Sequence, residues 1–317
     1  MKAAVLAAPG ELRIEEAPIP RPTSRQALIQ VEYCGVCASN LPRWEGRPWF
    51  EYPTRPGEMG HEGVGRILEI GADVSGWEVG ERVTFLSNHA YAGFDVANAD
   101  EMVRMPDPLA EACIPGEPLA CAWNIFRRAD IQMGDDVAIV GVGFMGALVA
   151  QLAINAGARV IAIVRRHSSE TFARALGVAD VVTCDNPGEA EEAISRLTNG
   201  RLCDVVIETT GHQVPLDIAT RLTRVRGRLV IAGYHQDGSR TIDMQMWNWR
   251  GIDVVNAHER DPAVYVSGMR RAIAAALEGI IQPQMLISHR LPLEDLGTAF
   301  DLAVHRPQGF VKAVVLP

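Results

Sequence analysis

Residues 135–166, "DDVAIVGVGFMGALVAQLAINAGARVIAIVRR", constrain the chain more than any other stretch. They read as a strand, a glycine turn, a long apolar helix and a second strand. The two strand segments are Val/Ile/Ala runs without polar alternation, as expected when both faces are covered. The alternation continues through a helix over 169–176, the short strand "DVVTC", a helix over 188–198, "CDVVIETTG", a helix over 214–224 and "GRLVIAGY". Doubly covered strands separated by helices predict a doubly wound parallel sheet.

"GVGFMG" supplies Gly141, Gly143 and Gly146 in the G-x-G-x-x-G spacing, with Phe144 and Met145 between the last two. The first glycine permits the tight turn, the second lets a diphosphate approach the backbone, and the third lets helix and strand pack closely. The helix that follows offers its N-terminal N–H groups to that diphosphate. Gly211 and Gly233, at the ends of two later strand signals, join the candidate cofactor-binding set. An acid that would hold the ribose 2′-OH of NAD is missing after the second strand, where Val164, Arg165 and Arg166 stand instead and Glu170 is the first acid. Two guanidinium groups with no opposing carboxylate favour NADP over NAD. The alternative is that both arginines are solvated surface charges.

The first 110 residues have a different grammar: short strand signals at 27–36, 62–71, 81–87 and 101–105, separated by Gly, Pro and charged turns. They predict a β-rich, barrel-like domain. A helix over 119–130 leads into the nucleotide-binding pattern. Beyond "GIDVVNAHERD" come a helix over 262–278, a proline-rich segment over 281–293 and a last strand in "FVKAVVLP", a stretch suited to completing the first domain. At 317 residues the chain exceeds what one core normally supports, which agrees with two domains.

A net charge of −9, without any cluster of Lys and Arg interleaved with aromatics, argues against a nucleic-acid partner. No run of eighteen apolar residues suggests a membrane span, and the apolar run at the start is too short for a signal segment. Six cysteines are too sparse for a disulfide scaffold and fit a reducing, cytoplasmic setting.

Those cysteines raise a different possibility. Cys34, Cys37, Cys113, Cys121, His61, Glu62 and Glu117 are the soft and borderline metal ligands available. A structural zinc wants four Cys/His ligands in tight pairs, and no second C-x-x-C exists. A catalytic zinc needs fewer, because one position is left to water or substrate. Spacing alone does not select Cys37, His61 and Glu117 over a packed thiol, a packed histidine and a helix-cap acid.

Taken jointly, "CGVCASN", "PGEMGHEGVGRILEIGADVSGWEVGERV", "GEPLACA" and "GVGFMG" resemble the medium-chain, zinc-dependent alcohol and polyol dehydrogenases, including the sorbitol/iditol and threonine dehydrogenase branch. The likeness covers nearly the whole chain. It implies a Rossmann domain, residues 121–257, inserted in a discontinuous GroES-like catalytic domain of residues 1–120 and 258–317, with zinc and nicotinamide meeting in the cleft. It also implies a catalytic zinc on Cys37, His61 and Glu117, with Cys121 the nearest substitute for the last. Cys34 becomes a packed neighbour and Glu62 a supporting group or alternative ligand. Ser39 stands where the family passes on the alcohol proton. Family members are commonly homodimers or homotetramers, often joined through the last Rossmann strand, here near 252–256.

Three departures from the family pattern have consequences. Asn40 replaces the aspartate that supports the ligand histidine, and an amide there can still hydrogen-bond to His61. Pro42 occupies the position of the relay histidine. Residues 86–112 contain no cysteine, so the four-cysteine structural-zinc lobe is absent and one zinc per chain is expected. Trp44, Trp49, His89, Tyr91, Trp247 and Trp249 fall in segments suited to lining the substrate cleft. The expected reaction is reversible hydride transfer between NAD(P) and a small secondary alcohol or polyol and its ketone. The competing readings are a zinc-free enone or quinone reductase on the same scaffold and a non-catalytic dinucleotide sensor.

Overall fold

The computed structural model describes all 317 residues. The chain opens with a hairpin of β1 (Lys2–Ala8) and β2 (Glu11–Glu16), paired antiparallel. Then come β3 (Gln26–Gly35), the short helix α1 (Leu41–Trp44), β4 (Gly63–Ile70), β5 (Arg82–Phe85), β6 (Phe94–Asn98) and β7 (Met102–Arg104). Helices α2 (Asp107–Glu111) and α3 (Gly116–Ala129) follow. The expected strand signals in this region correspond to β3, β4, β5 and β7, while the hairpin and β6 carried no clear signal. The reason is visible for β2, "ELRIEE", which is mostly exposed and buries little apolar surface.

The alternating region runs β8 (Asp136–Val140), α4 (Phe144–Asn155), β9 (Arg159–Val164), α5 (His167–Ala175), β10 (Asp180–Thr183), α6 (Pro187–Leu197), β11 (Cys203–Glu208), α7 (Gln213–Leu222), β12 (Thr223–Ile231), α8 (Met244–Arg250) and β13 (Asp253–Asn256). Its six strands form one sheet in the order β10-β9-β8-β11-β12-β13, every neighbouring pair parallel. Every residue of β8 is buried, as the apolar run over 137–140 requires, and Asp136 at its start is paired with Arg201. This is the doubly wound α/β sheet expected from the sequence.

The remainder supplies α9 (Pro262–Leu277), β14 (His289–Pro292), α10 (Leu296–His305) and β15 (Ala313–Leu316). The last strands return to the first sheet, whose order is β14-β15-β3-β4-β5-β7, with β6 also pairing β3. One compact unit comprises Met1–Ala120, Arg260–Ala274 and Pro283–Pro317, and the other Cys121–Glu259 with Ala275–Gln282. The first is packed around Leu6, Ile29, Ile67, Phe85, Tyr91 and Phe300, all essentially inaccessible to solvent. The second is packed around Ala138, Ile161, Val206 and Leu229.

Candidate metal centre and nucleotide turn

Strand register brings the metal-ligating side chains together. Because β4 and β15 both run antiparallel to β3, the end of β3 lies beside the starts of its two neighbours: Cys34 pairs with Gly63 on one side and with Val315 on the other. Cys37 lies just past β3, His61 and Glu62 just before β4, and Lys312 just before β15. Ligand atoms of Cys37, His61 and Glu62 consequently lie within 4.8 Å of one another.

The imidazole of His61 is oriented for this role. Its Nδ1 is 2.9 Å from the carbonyl oxygen of Met59, which can only accept, so Nδ1 carries the proton and Nε2 is left for a metal. Ser39 Oγ is 3.5 Å from that Nε2, and the Ser39 N–H donates to Cys37 Sγ at 3.5 Å. Burial works against a charged His61, but a hydrogen bond with Cys37 and the nearby charges of Cys37, Glu117 and Glu62 outweigh it and push its pKa up to about 10. A thiol and two carboxyl groups acting on one imidazole are a donor set suited to a cation.

Asn40 acts on His61 indirectly. Its Nδ2 donates to Met59 O at 3.0 Å and to Tyr91 Oη at 3.1 Å, so amide and imidazole share one carbonyl instead of bonding to each other. Met59 adopts a positive φ of 78°, which turns that carbonyl toward both donors.

Glu62 is fully buried and pairs with the buried Lys312, Nζ to Oε1, at 2.6 Å. Its second oxygen, Oε2, has no hydrogen-bond partner. A carboxylate with an idle buried oxygen, beside a thiol and an imidazole, fits a divalent metal of zinc's preferences. Gly35 makes the space, since a Cβ there would overlap the Glu62 carboxylate. Lys312 was not anticipated; a single lysine inside "FVKAVVLP" gives no local sign that its partner lies 250 residues away. Burial lowers and the charges of Glu62, Cys37 and Glu117 raise its pKa, with a net increase.

Glu117, the expected carboxylate ligand, lies buried in the first turn of α3 and acts electrostatically on His61 and Lys312. The grouping whose ligand atoms lie within 4.8 Å of one another is formed by Cys37, His61 and Glu62. Cys34 is inaccessible, and burial followed by the charge of Glu62 raises its pKa well above the ordinary thiol value, as befits a packed neighbour.

In the second unit, Gly141 (φ +94°) closes β8, and a Cβ there would strike Thr210, while one on Gly146 would strike the Gly141 carbonyl. Thr209 Oγ1 donates to Gly141 O at 2.6 Å and to Val140 O at 3.1 Å, fixing the turn from the neighbouring strand. Gly143 precedes α4, so Phe144, Met145 and Gly146 form the helix's first turn. Gly211 and Gly233 abut: a Cβ on Gly233 would collide with Gly211 N. Arg165 and Arg166 follow β9 and are exposed. The cradle that a Cβ would fill, at the carboxyl end of β8, fits a diphosphate.

The aromatic residues divide. Tyr91 and Trp44 are buried in the core, the latter against Phe300 with ring centroids 5.3 Å apart, so neither offers a face to substrate. Trp247 Nε1 donates to Thr220 Oγ1 at 3.1 Å. Trp49 and Trp249 are exposed, and His89 is half-buried.

Two family models match: the alcohol dehydrogenase GroES-like domain over residues 23–107 and the zinc-binding dehydrogenase domain over residues 144–274. The chain is 28% identical over 364 aligned positions to erythritol/L-threitol dehydrogenase of Mycolicibacterium smegmatis, covering 100% of this chain and 98% of that one. It is 25% identical to D-arabitol-phosphate dehydrogenase of Enterococcus avium, covering 95% and 94%. The crystal structure of 2R,3R-butanediol dehydrogenase from Bacillus subtilis superposes with a TM-score of 0.85 at 24% identity, covering 100% and 99%, and shares the fold. With both domain models in sequence order and polyol dehydrogenases aligned end to end, the chain belongs to the medium-chain, zinc-type alcohol and polyol dehydrogenases, NAD(P)-dependent enzymes that interconvert an alcohol and its ketone.

Proposed function

We propose that the chain holds one catalytic zinc through Cys37, His61 and a carboxylate, and uses it to oxidise a secondary alcohol of a polyol or to reduce the corresponding ketone, with NADP preferred. The observation that carries this reading is the 4.8 Å grouping of Cys37, His61 and Glu62, with His61 Nε2 left available by the Met59 carbonyl. Glu62 and Glu117 compete for the carboxylate position: Glu62 lies beside Cys37 and His61 but is engaged by Lys312, whereas Glu117, in the first turn of α3, acts on the same imidazole through its charge. When bound, zinc supplies Lewis-acid polarisation of the substrate oxygen, and the nicotinamide supplies or takes the hydride.

The remaining steps fall to side chains. Ser39 Oγ, beside His61, takes the alcohol proton. Because Pro42 has no titratable group, that proton passes from Ser39 to water. Polyols are favoured as substrates because the relatives named above act on erythritol, threitol and arabitol phosphate. The cysteine-free stretch 86–112 supports a single zinc. The domain limits proposed are 1–120 with 258–317 and 121–257. The outer position of β13 in its sheet supports a homodimer or homotetramer joined there, in a cytoplasmic enzyme. No helix is long and apolar enough to cross a membrane.

The test is a panel of polyols, polyol phosphates, secondary alcohols and their ketones, assayed in both directions with NAD and NADP alongside metal analysis. About one zinc per chain and turnover of at least one polyol are expected. Zinc-free protein that reduces enones would overturn the reading. For the cofactor, replacing both Arg165 and Arg166 by Ala should raise KM for NADP roughly ten- to hundredfold, as loss of charge-assisted hydrogen bonds to a phosphate implies. KM for NAD should barely change, and equal losses for both would refute the arginine assignment.

A further inference from the structure

The carboxyl ends of β11, β12 and β13 carry a second arrangement that the glycine turn does not account for. Tyr234, just past β12, is 56% exposed, and its ring lies flat on that of His258, just past β13, with centroids 5.5 Å apart and planes 2° from parallel. The turn bearing Tyr234 is rigidly held. Glu208, inaccessible at the end of β11, accepts from Thr210 N at 2.6 Å, Thr210 Oγ1 at 2.6 Å, Gly211 N at 3.0 Å and His235 Nε2 at 3.0 Å. Arg240 Nε donates to His235 Nδ1 at 2.9 Å, and its guanidinium donates to Gly211 O at 2.7 Å and pairs with Asp237. Gly211 is thus gripped at both its N–H and its C=O. A Cβ on it would lie 2.7 Å from Tyr234 O.

Such an investment of buried polar groups in one exposed aromatic calls for a ligand face. In a doubly wound sheet a dinucleotide lies across the carboxyl ends of the strands, with its diphosphate where the strand order reverses. Here the reversal is between β8 and β11, and the glycine turn closes β8. Arg165 and Arg166, past β9, mark the adenosine side, so the nicotinamide half extends over β11, β12 and β13. We propose that Tyr234, backed by His258, is a binding residue whose ring face stacks on the nicotinamide ring.

The inference rests on the dinucleotide reading above and specifies one residue of that site. A flat heteroaromatic stacked on an aromatic side chain loses roughly tenfold in affinity when the partner is cut to alanine. The ring of the oxidised cofactor is cationic, so a π face should favour it over the reduced form.

The test is calorimetric titration of wild type, Tyr234→Ala and Tyr234→Phe with NADP and with 2′-phospho-ADP-ribose, which lacks only the nicotinamide; NAD and ADP-ribose are used if wild type prefers NAD. Tyr234→Ala should weaken the dinucleotide about tenfold and leave the ADP-ribose unchanged, and Tyr234→Phe should preserve both affinities. Equal losses for both ligands would mean that Tyr234 only supports its turn. No loss for either, with wild type binding both, would refute the stacking alone. Wild-type protein that binds neither ligand would sink the dinucleotide reading itself.

Discussion

Cys37→Ala should reduce bound zinc from about one to less than about a tenth per chain and lower turnover by roughly a thousandfold, because Lewis-acid stabilisation worth several kcal/mol is lost. Dinucleotide affinity should persist, since Cys37 belongs to the first unit and the glycine turn to the second. Metal analysis of the purified variant with parallel cofactor titration measures both, and full activity without zinc would refute the mechanism. The pH dependence has a definite sign. Zinc must displace a proton from His61, whose pKa is pushed up to about 10 by its neighbours, so zinc affinity should climb as pH rises toward that value. Chelator competition at several pH values reads it directly.

Lys312→Met should destabilise the protein by about 3–5 kcal/mol, the usual cost of leaving one buried charge without its partner. Glu62 is fully buried, and Lys312 is its ion-pair partner. For a unit of this size the melting temperature should fall by roughly 10 °C. Lys312 has a pKa raised above its ordinary 10.5, so its contribution is complete at lower pH and is lost only as pH climbs past the raised value. The deficit of the variant should accordingly be constant through the neutral range and shrink in strong alkali. Adding Glu62→Gln to Lys312→Met should restore part of the loss, and additive effects in that double-mutant cycle would show that the pair is uncoupled.

The two predictions draw on parts of the molecule that were unequally legible in the sequence. The strand, turn and helix at 136–155 stand out because the middle of a doubly covered parallel strand is an unbroken apolar run and the diphosphate turn requires glycines. Cys37 and His61 were readable from their motifs, and register brings them together as the family likeness implied. What could not be read is nonlocal. That Glu62 stands beside Cys37 follows from the register of β3 with β4, and Lys312 arrives through β15. Helix α10 was missed because the preceding prolines masked its start. Tyr91 and Trp44 looked like pocket residues and are core residues, a matter of which side of the sheet they face.

The pairing of β15 with β3 has a consequence for synthesis. The thiol, imidazole and carboxylate are synthesised close together, but the ammonium that balances Glu62 follows 250 residues later. A nascent chain that has emerged only as far as β4 therefore holds a Glu62 without its counter-charge, and any metal captured at that stage meets a carboxylate that is still unrestrained. Completion of the centre waits on β15, and removing that strand together with Lys312 would leave a chain able to begin folding but unable to finish its own metal site.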